Sequence, residues 1–330
     1  MHKMYTDPRQ DSYDPSHLQN GIVLSAYGGF YQVKSQEGLY ICKIRGKMRL
    51  ADHGVLAGDH VTFSDYGHLT IDNKDHIYFG LPQGMIKEIL PRKNFLDRPK
   101  IANVDQALLV LALTQPSPDW NLLDRMLAVS LHKQITPVIC INKWDLTEED
   151  GELSEDIKET IDLLQIYRKA GFQVYCISAR IKSGIDALES ALKGKTTVVA
   201  GPSGVGKSSL LNAIRPELSL QTGDISNRLQ RGKHTTRHVE MMLLPENTFV
   251  ADTPGFSLLD LSESLQPQHL AKYYPEFEPY RNNCRFESCV HDKEPGCCVK
   301  EAVGEGSVNQ LRYDSYLKLL HEIKEREVKY

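Results

Sequence analysis

The sequence predicts a multidomain α/β protein with a small N-terminal β-barrel, a central doubly wound nucleotide-binding domain and a mostly helical, cysteine-rich C-terminal region. Three observations carry that prediction. Short alternating stretches broken by glycine fill residues 20 to about 90. Apolar strands then alternate with amphipathic helices and lead into a Gly-x-x-x-x-Gly-Lys-Ser loop. Finally, four cysteines and a histidine crowd between Cys284 and Cys298. A chain of 330 residues exceeds one typical core and implies two or three domains.

Composition narrows the class. With 41% hydrophobic and 25% charged residues, the chain has the make-up of an ordinary soluble globular protein. No apolar run approaches the roughly 20 residues needed to span a membrane. Residues 1–17 are polar, lack an apolar signal core and are expected to form a disordered tail, so a cytoplasmic protein without membrane partners is expected. The net charge of −4 gives no global attraction to nucleic acid, so any RNA contact must rest on local patches.

The barrel is expected over residues 18–92. Its candidate strands are Gly21–Leu24, Phe30–Val33, Tyr40–Ile44 and His60–Phe63, separated by turn signals at Gly28-Gly29, Gly38, Gly58-Asp59 and Tyr66-Gly67. From Cys42 to Leu50 every second residue is basic: Lys43, Arg45, Lys47 and Arg49. At the strand period of two these charges share one face, while Cys42, Ile44, Met48 and Leu50 share the other. The apolar face suits a barrel core, and the cationic stripe suits phosphates outside it.

The period changes in the central domain, expected over residues 93–258. Ala107–Leu113 is continuously apolar, as a strand buried on both faces of a parallel sheet must be. An amphipathic helix around Leu122–Leu131 follows, then a strand at Val138–Ile141, a helix from about Ser154 to Lys169 and a strand at Val174–Ile177. Thr197–Ala200 then enters the phosphate loop, and a helix runs from Ser208 to Ile214. Strands alternating with helices define a doubly wound α/β domain.

In the loop Gly201-Pro202-Ser203-Gly204-Val205-Gly206-Lys207-Ser208-Ser209, glycines let backbone N–H groups curl around phosphates, and the following helix adds its positive end. Lys207 supplies a charge for the β- and γ-phosphates, and the Ser208 hydroxyl is a candidate Mg²⁺ ligand. Asp252, ending a strand at Thr248–Ala251, is placed to hold magnesium through water, and Gly255 to offer its N–H to the γ-phosphate. Guanine presents two donors, N1–H and the N2 amine, so its reader must be a pair of acceptors. Asp145 in Asn142-Lys143-Trp144-Asp145 supplies one. Asn142 and Lys143 would brace that loop, and Ser178-Ala179 would support the purine O6. GTP and GDP are therefore the expected nucleotides.

The order of these motifs is rotated. A Ras-like GTPase opens with its phosphate loop and closes with its guanine reader; here the reader comes first, the phosphate loop next and Asp252-Thr253-Pro254-Gly255 last. Such a circular permutation moves the chain ends and keeps the site. The residue after Asp-x-x-Gly, where a Ras-type enzyme carries its water-orienting glutamine, is Phe256, which can neither orient nor deprotonate water. His234 is the candidate for that task. Beside it, Thr235-Thr236 are expected to supply the magnesium-binding threonine of the switch loop.

The C-terminal region, expected over residues 259–330, ends in a charged helix from about Ser307. Cys284, Cys289, His291 and Cys297 have the spacing C-x4-C-x-H-x5-C, a closed set suited to one structural Zn²⁺. Cys298 is read as a spectator, since two adjacent residues rarely both reach one small ion.

Together these features resemble the RsgA (YjeQ/YloQ) family, bacterial GTPases that assist small-ribosomal-subunit maturation. The resemblance runs from about residue 18 onward and includes Gly232-Lys233-His234-Thr235-Thr236, Asp252-Thr253-Pro254-Gly255-Phe256 and Glu294-Pro295-Gly296-Cys297. One departure is Arg237, where many relatives extend the threonine run. The resemblance implies an OB-fold for the barrel, a central permuted GTPase domain, a C-terminal zinc-binding domain, and GTP hydrolysis stimulated by the small ribosomal subunit and its rRNA. A monomer is expected. The competing expectation is a GTP-dependent RNA-binding switch whose hydrolysis is incidental. A permuted GTPase of another assembly fits less well, given the barrel and the zinc cluster.

Overall fold

The structure, a computed structural model, describes residues 18–44, 54–70, 80–97, 99–147, 153–215, 240–252 and 265–327. These fall into two units: the described residues up to Asn103 with Glu240–Met242, and those from Val104 onward, resuming at Leu243.

The first unit is a closed barrel. Strands β1 (Leu18–Tyr27), β2 (Phe30–Ser35), β3 (Leu39–Ile44), β4 (His60–Thr70) and β5 (Pro82–Ile89) close in the order β1-β2-β3-β5-β4. β3 and β5 run parallel, while β1 pairs antiparallel with both β2 and β4. This is the five-stranded arrangement of an OB-fold. Val23, Val33, Tyr40, Cys42, Ile44, Val61, Phe63 and Ile86 fill its interior. The alternation expected at Cys42-Lys43-Ile44 is present: Cys42 and Ile44 are buried and Lys43 is exposed. The Lys43 amine lies 5.0 Å from the centre of the Phe30 ring. Arg45, Lys47 and Arg49 lie outside the described residues.

All four anticipated strands fall within observed ones, but β5 was not anticipated. It opens on Pro82 and carries Gly84, both of which argue against a strand in sequence. The structure explains the glycine: a Cβ there would lie 2.8 Å from Ser64 O and 3.0 Å from Cys42 Sγ. A clasp follows β5, in which Arg92 Nε meets the fully buried Asp59 Oδ1 at 2.6 Å and Arg92 Nη2 meets Oδ2 at 2.8 Å. A short hairpin of β6 (Phe95–Asp97) and β7 (Lys100–Ala102) completes the unit.

Five strands of a six-stranded sheet lie wholly within the second unit. The strands of this sheet are β8 (Gln106–Ala112), β9 (Thr136–Asn142), β10 (Gln173–Cys176), β11 (Thr196–Ala200), β12 (Met241–Leu244) and β13 (Thr248–Asp252), in the order β10-β9-β8-β11-β13-β12. The pairs from β10 through β13 are parallel. Every residue of β8 is buried, which is why it is continuously apolar from Ala107 on, while Gln106 at its start donates to Thr197 Oγ1 at 3.0 Å. Helices α1 (Trp120–His132), α2 (Glu155–Lys169), α3 (Ile185–Leu192) and α4 (Lys207–Ile214) connect the strands. Side-chain caps start the first two: Asp119 accepts from Leu122 N at 2.9 Å, and Ser154 accepts from Ile157 N at 3.4 Å.

α1 is covered twice. Ala128 and Val129 join a cluster with Leu270, Tyr274, Phe277, Val299, Tyr316 and Leu320 from the C-terminal region. That region comprises single helical turns at Pro267–Leu270 and Glu278–Arg281, then α5 (Cys298–Gly304) and α6 (Gln310–Glu327). A buried ion cluster sits at this junction. Arg312 of α6 binds Asp124 of α1 and meets Glu276 Oε1 at 2.6 Å, and Tyr167 OH donates to Asp124 at 2.8 Å. The Arg312 guanidinium also lies over the rings of Tyr274, Tyr167 and Phe172 at 4.6, 5.0 and 5.7 Å. Burial raises the Asp124 carboxyl, an effect opposed by Arg312.

Candidate functional site

The parallel strands bring the scattered motifs together. Asn142 ends β9, Gly201 follows β11 directly, Asp252 ends β13, and Ser178 stands two residues past β10. All four therefore lie at the carboxyl edge of one sheet, the edge at which such folds bind ligands.

Asn142 ties three of the loops. Its Nδ2 donates to Val205 O at 2.9 Å, and its Oδ1 accepts from Ala179 N at 3.0 Å. The Ala179 amide thus orients this asparagine, an engagement the sequence did not reveal. Trp144 N donates to Ile177 O at 3.0 Å and holds the reader loop against the end of β10. Lys143 turns through a positive φ of 64° and its amine donates to Gln115 O.

Close packing sets the glycines of the phosphate loop. Gly206 has φ +92°, and a Cβ there would lie 2.3 Å from Asn142 Nδ2. Gly201 has φ +146°, and its Cβ would lie 2.0 Å from Val110 O. Gly204 has φ +81°. Val205 is buried and anchors the loop, while Ser203 and Gly204 are exposed and Pro202 is partly so. The Lys207 amine donates to Gly201 O and Pro202 O at 2.8 Å each, so its charge lies over the loop itself. α4 begins at Lys207 without a side-chain cap, which leaves the first-turn amides of Ser208 and Ser209 to the loop.

Asp145 lies in a short 3₁₀ turn, Trp144–Thr147, and is buried. Arg180 Nη2 pairs with its Oδ2 at 2.8 Å. Arg180 was not anticipated, although it directly follows Ser178-Ala179. Ser178 is fully buried, and its Oγ accepts from Ile181 N at 3.3 Å. His234, Thr235, Thr236, Gly255 and Phe256 lie outside the described residues.

The second constellation is the cysteine cluster. The ligand atoms of Cys284, Cys289, His291 and Cys297 all lie within 4.8 Å of one another. Cys284 Sγ and Cys297 Sγ stand 3.9 Å apart, and His291 Nδ1 is 3.5 and 3.4 Å from them. A tetrahedral zinc with Zn–S of about 2.3 Å and Zn–N of about 2.0 Å has edges of about 3.5–3.8 Å, so the donor set fits. Burial, with help from the Cys297 sulfur, pushes the Cys289 thiol up to about 12. Burial also lowers His291, which favours the neutral imidazole. Such thiols become thiolates once a cation lies among them. Cys298 Sγ instead donates to Asn283 O at 3.0 Å. Outer groups fix the loop: Tyr313 OH donates to His291 O and Tyr316 OH to Val290 O, both at 2.7 Å. Glu294 accepts from Val290 N and Asp292 N at 3.2 and 2.8 Å.

Comparison with known proteins agrees with this geometry. Residues 89–262 match the RsgA GTPase family and residues 20–68 the RsgA N-terminal domain. The chain is 44% identical over 307 residues to the small ribosomal subunit biogenesis GTPase RsgA of Alkaliphilus metalliredigens, covering 93% of this chain and 98% of that one. It is 44% identical over 313 residues to the protein of the same name in Geobacillus kaustophilus, covering 95% and 100%. Among solved structures, it superposes on YjeQ from Thermotoga maritima with a TM-score of 0.74 at 34% identity, covering 93% and 98% of the two chains. YloQ, described as a circularly permuted GTPase, gives 0.73 at 35% identity, covering 96% and 99%.

Proposed function

The chain belongs to the RsgA GTPase family, and from that premise we propose a residue-level account of its GTP hydrolysis in small-ribosomal-subunit biogenesis. The observation that carries it is the pair of hydrogen bonds by which Asn142 donates to the phosphate loop and accepts from Ala179. One side chain joins base-reading and phosphate-binding loops that the permutation has placed in reverse order. GTP chemistry needs these loops adjacent, whatever their order along the chain.

In this reading Asp145 accepts both donors of guanine. The amides of residues 201–206 and the first turn of α4 receive the phosphates. Lys207, drawn off its own loop carbonyls, neutralises charge that builds on the transferring phosphoryl group. Ser208 and Asp252 would hold Mg²⁺, which would offset negative charge on the phosphates when bound. Phe256 leaves the attacking water without an orienting group, and His234 is the proposed replacement, with Thr235 or Thr236 completing the magnesium shell. Cys284, Cys289, His291 and Cys297 hold a structural Zn²⁺ that takes no part in the chemistry. The barrel meets rRNA through the Lys43 stripe. The enzyme works as a cytoplasmic monomer; no helix among the described residues is long and apolar enough to cross a membrane.

The test is GTP turnover with and without purified small subunits, in wild type and in His234→Ala. The expected result is slow turnover alone and a large stimulation that His234→Ala removes. Stimulation that survives in full assigns the water to another group; no stimulation at all favours an RNA-binding switch.

A further inference from the structure

The two oxygens of Asp145 are unequal. Oδ2 is paired with Arg180, whereas Oδ1 is shut off from solvent and has no hydrogen-bond partner. The two partners also differ in position: the Arg180 side chain is 64% exposed and that of Asp145 only 7%. A carboxylate lying beneath an exposed cation is reached from solvent by moving that cation. The incoming edge of guanine offers neighbouring N–H donors in one plane, and a guanidinium offers the same pattern. Base and side chain therefore compete for one acceptor.

We propose that Arg180 is a built-in competitor for the guanine edge. It closes over Asp145 when the base leaves and must be displaced when a base enters, so it sets how tightly guanine nucleotides are held and how fast they bind. The proposal rests on the reading of Asp145 as the guanine acceptor. Physically, the apparent affinity is the intrinsic affinity reduced by the fraction of molecules with the carboxylate uncovered. The orphaned Oδ1 gives the competition its direction. Arg180 meets one oxygen at hydrogen-bond distance, while guanine brings a donor for each, so the base displaces the cation at a net gain in bonds.

The experiment measures fluorescent GDP association, dissociation and affinity on full-length wild type, Arg180→Met and Arg180→Lys, at low and high salt. Arg180→Met keeps the length and stem packing of an exposed residue and removes the charge. It is expected to bind GDP roughly three- to fivefold tighter, mainly through faster association. The gap from wild type should narrow as salt rises, since salt weakens the competing ion pair. Arg180→Lys, a point charge without the planar fork, should fall between the two. Equal or weaker GDP binding by Arg180→Met overturns the proposal, as does a gap indifferent to salt. A separate arm compares GDP with ADP on wild type. Absence of guanine preference there sinks the reading of Asp145 itself, independently of Arg180.

Discussion

Asn142 reaches partners 37 and 63 residues away along the chain, and the space beside it is closed by Gly206. This makes a small substitution severe. In Gly206→Ala the new methyl must push Asn142 Nδ2 aside in a backbone conformation that L-residues seldom adopt. We expect GDP affinity to fall at least about tenfold while the thermal midpoint changes little, because the loop lies at the sheet edge and outside the core. Isothermal titration beside a melting curve checks both halves, and unchanged affinity removes Asn142 from the site. Residue types and spacing made this cradle legible in sequence, since a phosphate loop is a local backbone device. Arg180 was not legible. Its significance lies in which carboxylate it meets, and that depends on a turn between Ser178 and Ser183 that spacing does not reveal.

The cysteine loop and α6 carry two predictions at the level of whole elements. The Cys289 thiol is pushed up in the metal-free fold, so zinc must expel its proton. Zinc affinity should therefore climb as pH rises and weaken as pH falls. Competition with a chromophoric chelator at pH 6 and pH 8 reads the slope, and a flat profile removes Cys289 from the ligand set. On α6, removing Arg312 leaves Asp124 buried without a cation and Glu276 partly so. Arg312→Ala should destabilise the second unit by about 3–5 kcal/mol. Arg312→Ala paired with Asp124→Ala should recover part of that loss, as denaturant melts will show. The spacing of the zinc ligands and the helix from about Ser154 to Lys169 were plain in sequence because both are short-range patterns. β5 was hidden by Pro82 and Gly84. The Arg312 cluster was hidden too, since nothing local distinguishes one cation in a charged helix from its neighbours.

At the scale of the whole molecule, recognition of a large RNA partner should divide cleanly from nucleotide binding. Lys43→Glu with Arg45→Glu should weaken small-subunit binding and flatten its salt dependence, because fewer counterions are then released on docking. GDP affinity should stay as it was; subunit binding unmoved by both changes would reduce the stripe to a solvated strand face. The architecture was readable at this scale from the change of hydrophobic period along the chain. The joining of α1 to the C-terminal helices was not, for it is made between elements far apart in sequence. That joint also has a consequence in time. Asp124 emerges from the translating ribosome 188 residues before the arginine that neutralises it. At about 5–20 residues per second the wait is roughly 10–40 s. Through that interval every nucleotide motif has been made, yet α1 still lacks both its cation and its outer cover. A message cut short between residues 256 and 312 would thus yield a chain with a full set of GTP motifs and an uncovered helix bearing an unpaired acid, material for a protease rather than a partly working enzyme.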